Sequence, residues 1–301
     1  MQELVVISGK GGTGKTSLIA ALAAQGENKV LCDADVDAAD LHLIMDPEVQ
    51  ERHDFQSGHT ARINQDKCTQ CDVCRELCRW NAISTQYVVD PIECEGCGVC
   101  YYFCPEKAID FPINTCGEWF ISKTRFGPMA HARLGIAEEN SGKLVTFIRR
   151  EGKKLAEKKH LDLLLTDGAP GVGCPVIASM GGATAVLIVA EPTVSGRHDM
   201  ARVAELAAFF KIPAMVCVNK FDINPDEGQA IEAFAKERNI RAVGRVPFDP
   251  AFTQAMIQGQ TIVEFNDRTE GGQAVKILWK NLMEQLYLLS QKGLGHRWTS
   301  R

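Results

Sequence analysis

Hydrophobic positions along the chain fall into two alternating patterns. Residues 3–7 (ELVVI) form an almost unbroken apolar run that enters a glycine-rich turn, the pattern of a strand buried on both faces. Comparable runs lie at 29–32, 161–166, 184–190, 213–218 and 240–246. Helical spacing fills the intervals, at 15–24 and near 143–159, 197–210, 226–238 and 272–290. Strands alternating with helices predict an α/β fold, a mostly parallel, doubly wound sheet covered on both faces. The last helix is amphipathic but only weakly basic, so the expectation is a helix packed on the core rather than one lying on a membrane.

The rhythm breaks between residues 59 and 113, which are short-spaced, cysteine-dense and duplicated. Cys68, Cys71, Cys74 and Cys78 form C-x2-C-x2-C-x3-C, and Cys94, Cys97, Cys100 and Cys104 repeat it. A constant offset of 26 residues relates the two sets, and it also carries Ile63 onto Val89, Ala82 onto Ala108 and Ile83 onto Ile109. Each half reads as strand, ligand loop, short helix and strand, so the segment is a small α+β insert with pseudo-twofold symmetry. Insertions of this kind succeed at exposed loops, where the host core is undisturbed. The expected domains are 1–58 and 114–301 for the host and 59–113 for the insert.

The bulk numbers narrow the class. A chain of 301 residues with 45% hydrophobic and 24% charged content suits a globular protein with one large core and a small module. A net charge of -5 argues against a general nucleic-acid binder. No stretch reaches the roughly 18 apolar residues of a membrane span, and the N-terminus enters a strand directly, so the expectation is a cytoplasmic protein without a signal peptide. There the twelve cysteines favour metal ligation over disulfides.

Residues 9–16, GKGGTGKT, are a phosphate-binding loop between a strand and a helix. Gly9, Gly11, Gly12 and Gly14 let the backbone approach phosphate oxygens, and the N–H groups of Gly11 to Ser17, Thr13 included, form an anion cradle. Lys15 is expected on the β- and γ-phosphates and Thr16 on Mg²⁺. With Lys10 at its start, the loop resembles the deviant Walker A motif of the MinD/ParA/Mrp superfamily, which includes the nitrogenase iron protein. That resemblance implies an ATP-dependent sandwich dimer, homodimeric or with a similar ATPase, in which Lys10 reaches the partner's nucleotide.

Three further segments carry the resemblance. In CDADVDAADLHLIM (32–45), Asp33 ends a strand near the metal, and the family implies that Asp35 positions the attacking water. LLLTDGAPG (163–171) is an apolar strand ending in Asp167, a Walker B pattern whose acid contacts Mg²⁺ through water, with 168–173 as the second switch. MVCVNKFD (215–222) resembles the family's base-recognition segment, with Asn219 on adenine, and Pro247, Phe248 and Asp249 match the loop that closes over the base. The expected catalytic set is thus Lys10, Lys15, Asp35 and Asp167.

Tandem cysteine runs of this spacing are the sequence form of a bacterial ferredoxin with two [4Fe–4S] clusters. In that arrangement the fourth thiolate of each cage comes from the other half: Cys68, Cys71, Cys74 and Cys104 for one cluster, Cys94, Cys97, Cys100 and Cys78 for the other. Zinc is the competing metal, disfavoured by the third close-spaced cysteine and the duplication. Pro105 follows the last cysteine, whereas Arg79 and Trp80 follow Cys78, a departure from the usual proline that leaves Trp80 to shield a cluster or dock the insert.

Cys32 and Cys217 lie in apolar strands and read as core residues. Cys174 lies seven residues after Asp167, the offset of a cluster ligand in the nitrogenase iron protein. That resemblance implies that Cys174, together with Cys116, contributes to a dimer-bridging or transient cluster; the alternative for both is a packed or incidental thiol. The segment 114–143 is too elaborate for a simple return linker. Together these readings predict an ATPase that couples nucleotide turnover to electron transfer with a partner protein. The alternatives are a carrier of iron–sulfur clusters or metal to client proteins, as in Mrp-type relatives, and a positioning ATPase whose clusters sense redox state. Mrp-type carriers use a CxxC pair in the second half, which this chain lacks there.

Overall fold

The computed structural model describes residues 1–135 and 140–295, with side chains to residue 291. Residues 136–139 of the expected 114–143 segment, and 296–301 of the host, lie outside the described residues. The first elements in chain order are β1 (Gln2–Ser8), α1 (Lys15–Ala23), β2 (Lys29–Asp33), α2 (Leu41–Met45), β3 (Glu48–His59) and β4 (Arg62–Ile63). Then come α3 (Val73–Leu77), α4 (Val99–Phe103), β5 (Ile109–Asp110), β6 (Ile113–Thr124) and β7 (Gly127–Leu134). The remainder comprises α5 (Ser141–Lys158), β8 (Leu163–Asp167), α6 (Cys174–Met180), β9 (Ala185–Ala190), α7 (Val194–Phe209), β10 (Ala214–Asn219), α8 (Pro225–Glu237), β11 (Arg241–Val246), α9 (Ala251–Ile257), α10 (Ile262–Asn266) and α11 (Glu270–Gly295).

Two compact units result, one of Met1–Arg52, Trp119–Arg133 and Ser141–Arg301, the other of His53–Glu118 and Leu134–Asn140. Among the described residues, the large sheet runs in the order β11-β10-β9-β1-β8-β2-β7-β6-β3. From β11 to β7 neighbouring strands are parallel. The period-2 rule separates two cores. Leu4 and Val6 pack with Leu18 and Leu22 of α1 and with Leu278 and Leu282 of α11, whereas Val5 and Ile7 pack with Val176 of α6, Met200 and Val203 of α7 and Ile231 of α8. The sheet is doubly wound, as the alternation of apolar runs predicts. In α11 the buried positions Val275, Leu278, Leu282 and Leu286 form one stripe, so this helix serves the core.

The sheet also extends through β7, β6 and β3, which the hydrophobic pattern did not reveal. β6 and β7 are joined by Arg125 and Phe126, with the Thr124 hydroxyl donating to the Gly127 carbonyl at 2.8 Å. Residues 48–54 of β3 are exposed and mostly polar, which suits a strand at a sheet edge but produces no apolar run.

In the second unit, β4 pairs antiparallel with β5, Ile63 opposite Ile109. Ile83 forms an isolated antiparallel bridge with Val89. The 26-residue offset exchanges these two pairings, because it carries 63 to 89 and 83 to 109. It likewise exchanges two backbone hydrogen bonds, Asn64 N–H to Ala108 O at 2.8 Å and Asp90 N–H to Ala82 O at 2.7 Å. Each half therefore completes its pairing with the other, and the duplicated halves are intertwined rather than side by side. Ile83, Ile109, Ala61, Cys74 and Tyr87 form the buried centre.

Candidate functional site

The parallel register of the first unit sets Asp33 directly beside Asp167, and Asp167 beside Val6 of β1. Both acids end their strands, at the point where the connections after the neighbouring strands β1 and β8 pass to opposite faces, α1 to one and α6 to the other, the usual ligand crevice of an open parallel sheet. The loop after β1 supplies Lys15 as the first residue of α1. Its ammonium is buried and bonds the Asp35 carboxylate at 3.2 Å and the Asp167 carboxylate more closely still. Burial alone would lower the Lys15 pKa, but the charges of Asp167 and Asp35 outweigh it and hold it above the ordinary value. Complete burial pushes the Asp33 carboxyl well above the usual range, and the Asp167 charge adds to this. Burial also raises Asp35, against the pull of Lys15.

One oxygen of Asp33 and one of Asp167 are buried with no hydrogen-bond partner, as is the Thr13 hydroxyl. Such acceptors are costly unless a cation or water meets them. Two of them at adjacent strand ends, beside the loop lysine, fit a divalent cation of the kind that accompanies a nucleotide. Thr16, the expected third magnesium ligand, is the second residue of α1. Asp35 is tied to this group by its own N–H, which donates to Asp33 at 3.1 Å.

Gly14 shows why the loop needs glycine. Its φ is +81°, and a Cβ there would lie 2.5 Å from the Asn219 amide nitrogen. Asn219 comes this close because its amide donates to the Thr13 carbonyl at 2.7 Å, tying the end of β10 to the loop. Asn219, Pro247, Phe248 and Asp249 line one cavity with Gly14 and Ser17, with about 660 Å³ of empty space. Its other walls are Lys220, from the 215–222 segment, and Leu18, Phe252, Thr253 and Met256, which sequence reading missed because these four fall on no motif. Within the wall, Asp249 has a structural task, accepting from the N–H groups of Ala251 (2.9 Å) and Gly271 (3.1 Å).

Lys10 lies to one side, bridged to Glu191 at 3.3 Å and within 3.4 Å of the Ser195 hydroxyl. Glu191 also holds Lys220 at 2.6 Å, and Lys220 donates to the Gly12 carbonyl at 3.2 Å. Although burial acts the other way, Lys220 and Lys10 hold the Glu191 carboxyl below its usual range. Glu191 follows β9 in a stretch with no motif signature, so nothing in the sequence marks it.

The second unit contains two cavities lined by cysteines. One, with about 320 Å³ of empty space, is bordered by Cys68, Cys71, Cys74 and Cys104, with Ile63, Tyr87, Pro105 and Ile109. The other, with about 370 Å³, is bordered by Cys78, Cys94, Cys97 and Cys100, with Trp80, Ile83, Val89 and Phe111. Each takes three cysteines from one run and one from the other. Among the described residues no three His, Cys, Asp or Glu side chains converge as a single ion would need. The thiols instead surround hollows with mostly apolar walls, a donor set that fits a multi-iron cage of thiolate ligation. Of the other cysteines, Cys32 and Cys217 are fully buried, and burial drives the Cys217 thiol up to about 12 and the Cys32 thiol strongly upward. Cys116 is buried, its thiol directed at the Ser57 carbonyl at 3.5 Å, whereas Cys174 begins α6 and is exposed.

The model of the CobQ/CobB/MinD/ParA nucleotide-binding domain matches residues 4–262. The chain belongs to this family. Within the MinD/ParA-type ATPases, the solved structure of the septum site-determining protein MinD with Mg-ADP from Pyrococcus horikoshii is similar over 96% of this chain and 98% of that one, with a TM-score of 0.59 and 16% identity. That likeness shows the shared P-loop fold. An uncharacterized protein of Methanocaldococcus jannaschii is 33% identical over 227 residues, 74% of this chain and 80% of that one. A shorter stretch of 47 residues is 40% identical to the pyruvate synthase subunit PorD of Methanothermobacter marburgensis, 16% of this chain and 58% of that subunit. Among the described residues no helix is long and apolar enough to cross a membrane.

Proposed function

We propose that this MinD/ParA-type ATPase couples ATP binding and hydrolysis to electron transfer through two [4Fe–4S] clusters, exchanging electrons with a partner protein. The observation that carries the reading is the pair of cysteine-lined cavities, each completed by a cysteine of the opposite run. Bound clusters would supply one-electron chemistry, and the cysteines would fix their position. Residues 59–113 form the ferredoxin-like insert in this reading, and the short match to a pyruvate synthase subunit is of a module's size. The family supports ATP hydrolysis, with Lys15 on the phosphates, Thr16, Asp33 and Asp167 around Mg²⁺, and Asp35 orienting water. Lys10 leaves Glu191 to reach a second subunit's nucleotide, so that closure of a dimer reports the γ-phosphate. Asn219, Pro247, Phe248 and Asp249 bound the base pocket.

The test is anaerobic reconstitution, followed by iron analysis and an EPR redox titration with and without ATP. The reading expects about eight irons per chain and a nucleotide-dependent change in potential or in electron transfer to the partner. Cys104→Ser and Cys78→Ser should each remove a different one of two EPR signals. An iron-free protein after reconstitution, or clusters indifferent to ATP and handed over to an apo-protein, would defeat it.

A further inference from the structure

The two cysteine loops solve the same backbone problem in different ways. Positive φ occurs at Gln70, Asp72 and Asn81, and again at Gly96, Gly98 and Lys107, the positions 26 residues later. Glycine adopts this conformation freely, so the second loop needs no help at 96 and 98. The first loop has a glutamine and an aspartate there, which side-chain residues adopt at a cost.

A small network sits where that cost falls. Tyr87 is buried, and its hydroxyl lies 2.9 Å from the Gln70 carbonyl and 3.0 Å from the Asp72 carboxylate. Arg75 bonds the same Asp72 oxygen at 2.5 Å and lies 5.9 Å from the Tyr87 ring. Thus the single phenolic proton is shared between acceptors on both strained residues, and Arg75 braces the second. The equivalent positions in the other half are Ile113 and Tyr101, which cannot reproduce this arrangement. Tyr87 is itself fixed by its backbone, with its N–H donating to Ser84 O and its carbonyl accepting from Gln65. Tyr87 also lines the cavity of Cys68, Cys71, Cys74 and Cys104 and is absent from the lining of the other.

We propose that Tyr87, with Asp72 and Arg75, is a positioning device for the first cysteine loop alone, holding in place by side-chain hydrogen bonds a backbone that the second loop obtains from Gly96 and Gly98. The inference rests on the cluster reading above. It makes the two cluster sites unequal in a defined way: retention of the cluster at Cys68, Cys71, Cys74 and Cys104 depends on a phenolic hydroxyl, and retention of its counterpart does not.

The experiment compares the reconstituted full chain with Tyr87→Phe and with Tyr87→Phe carrying Gln70→Gly and Asp72→Gly. Iron content, EPR signals and iron release to a chelator are read, with ATP binding as the control for folding. For Tyr87→Phe the expectation is that one signal weakens and half of the iron is released about tenfold faster, the scale of supporting-ligand effects, while the other half is unaffected. The triple variant should regain the slow release and the lost signal, because the glycines remove the need for the clamp. If Tyr87→Phe does not fold and the triple variant does, the same dependence is demonstrated. Two slow-release clusters in Tyr87→Phe, equal loss of both, or no rescue in the triple variant overturns the inference and leaves the cluster reading standing. A wild-type chain that takes up no clusters overturns both.

Discussion

Arg149 of α5 is the clearest place to test the energetics of the nucleotide-binding unit. Its guanidinium grips Glu3 of β1 bidentately, with both N–H to oxygen distances 2.8 Å, and it also donates to the Gly181 carbonyl at 3.0 Å. Glu3 is 2% exposed and Arg149 is 5% exposed. Truncating one partner of such a pair strands the other charge, at a cost of about 3–5 kcal/mol. Lys153 still reaches Glu3 at 2.9 Å, and Thr166 donates to it at 3.2 Å, so Arg149→Met belongs at the lower end, about 3 kcal/mol. At about 2–4 °C per kcal/mol that is a fall of roughly 6–12 °C in melting temperature. Adding Glu3→Gln removes the stranded charge, so the double variant should recover at least about half of the loss. Arg149→Lys keeps the charge but loses the planar fork, and should lie in between. Wild type, Arg149→Met, Glu3→Gln and the double variant, compared by thermal and urea denaturation, form the cycle, with Arg149→Lys measured beside them. A drop below about 1 kcal/mol for Arg149→Met, or a double variant as unstable as the sum of the singles, would refute the stranded-charge argument.

Three other outcomes follow from the site. Gly14→Ala places a Cβ 2.5 Å from the Asn219 nitrogen at a left-handed residue, and should abolish measurable ATP binding by calorimetry while costing about 1–2 kcal/mol in stability from the backbone alone. Because burial raises the Asp33 pKa, the folded chain holds a proton there that the unfolded chain releases; stability from this group is present below the ordinary carboxylate pKa and is lost as pH rises through the elevated one. At the proposed magnesium site a divalent cation would replace that proton, so the rise in melting temperature with Mg-ADP should grow as pH rises above the ordinary carboxylate range, and Asp33→Asn should flatten the trend. His131 is the reverse case: burial, reinforced by His42 and Arg133, lowers it to about 4, so its stability is present above the ordinary histidine pKa and lost as pH falls through the depressed one. At about 1.4 kcal/mol per pH unit the effect is about 3–4 kcal/mol, and His131→Gln, which can keep a bond to Ser122, should remove most of the acid sensitivity between pH 6.5 and 4 in a melting series.

What the sequence discloses follows from burial. The central parallel strands are covered on both faces, so β1, β8, β9 and β10 write themselves as apolar runs, and their boundaries lie within two residues of the pattern. β3 satisfies its backbone at the rim of the sheet with charged residues, and no periodicity betrays it. At the site, residue types mark Lys15, Asp33 and Asp167, but only the register places the two acids side by side. The hydrogen bond from Asn219 to the loop and the ion pairs of Lys10 and Lys220 with Glu191 are long-range facts of folding that leave no local trace.

The cysteine unit is informative in a different way, because repetition makes its own control. The offset that relates Cys68 to Cys94 also exchanges the pairings 63–109 and 89–83, so the symmetry belongs to the fold and not only to the ligands. Under that symmetry, a departure between halves is a local experiment wherever the backbone is preserved, as at 70/96, 72/98 and 81/107; Tyr87, left-handed at φ +57°, differs from Ile113, which begins β6. Where Gly98 becomes Asp72 and Gly96 becomes Gln70, the left-handed conformation persists, so something must hold it, and Tyr87 is the group in contact with both positions. Where Pro105 becomes Arg79, the following left-handed residues Asn81 and Lys107 still match, so the chain course after the fourth cysteine does not depend on proline. The first substitution therefore demands a compensating contact and the second does not. Asymmetric sensitivity to mutation, concentrated at the loop of Cys68 to Cys74, is the signature that separates such a compensated repeat from two independent halves.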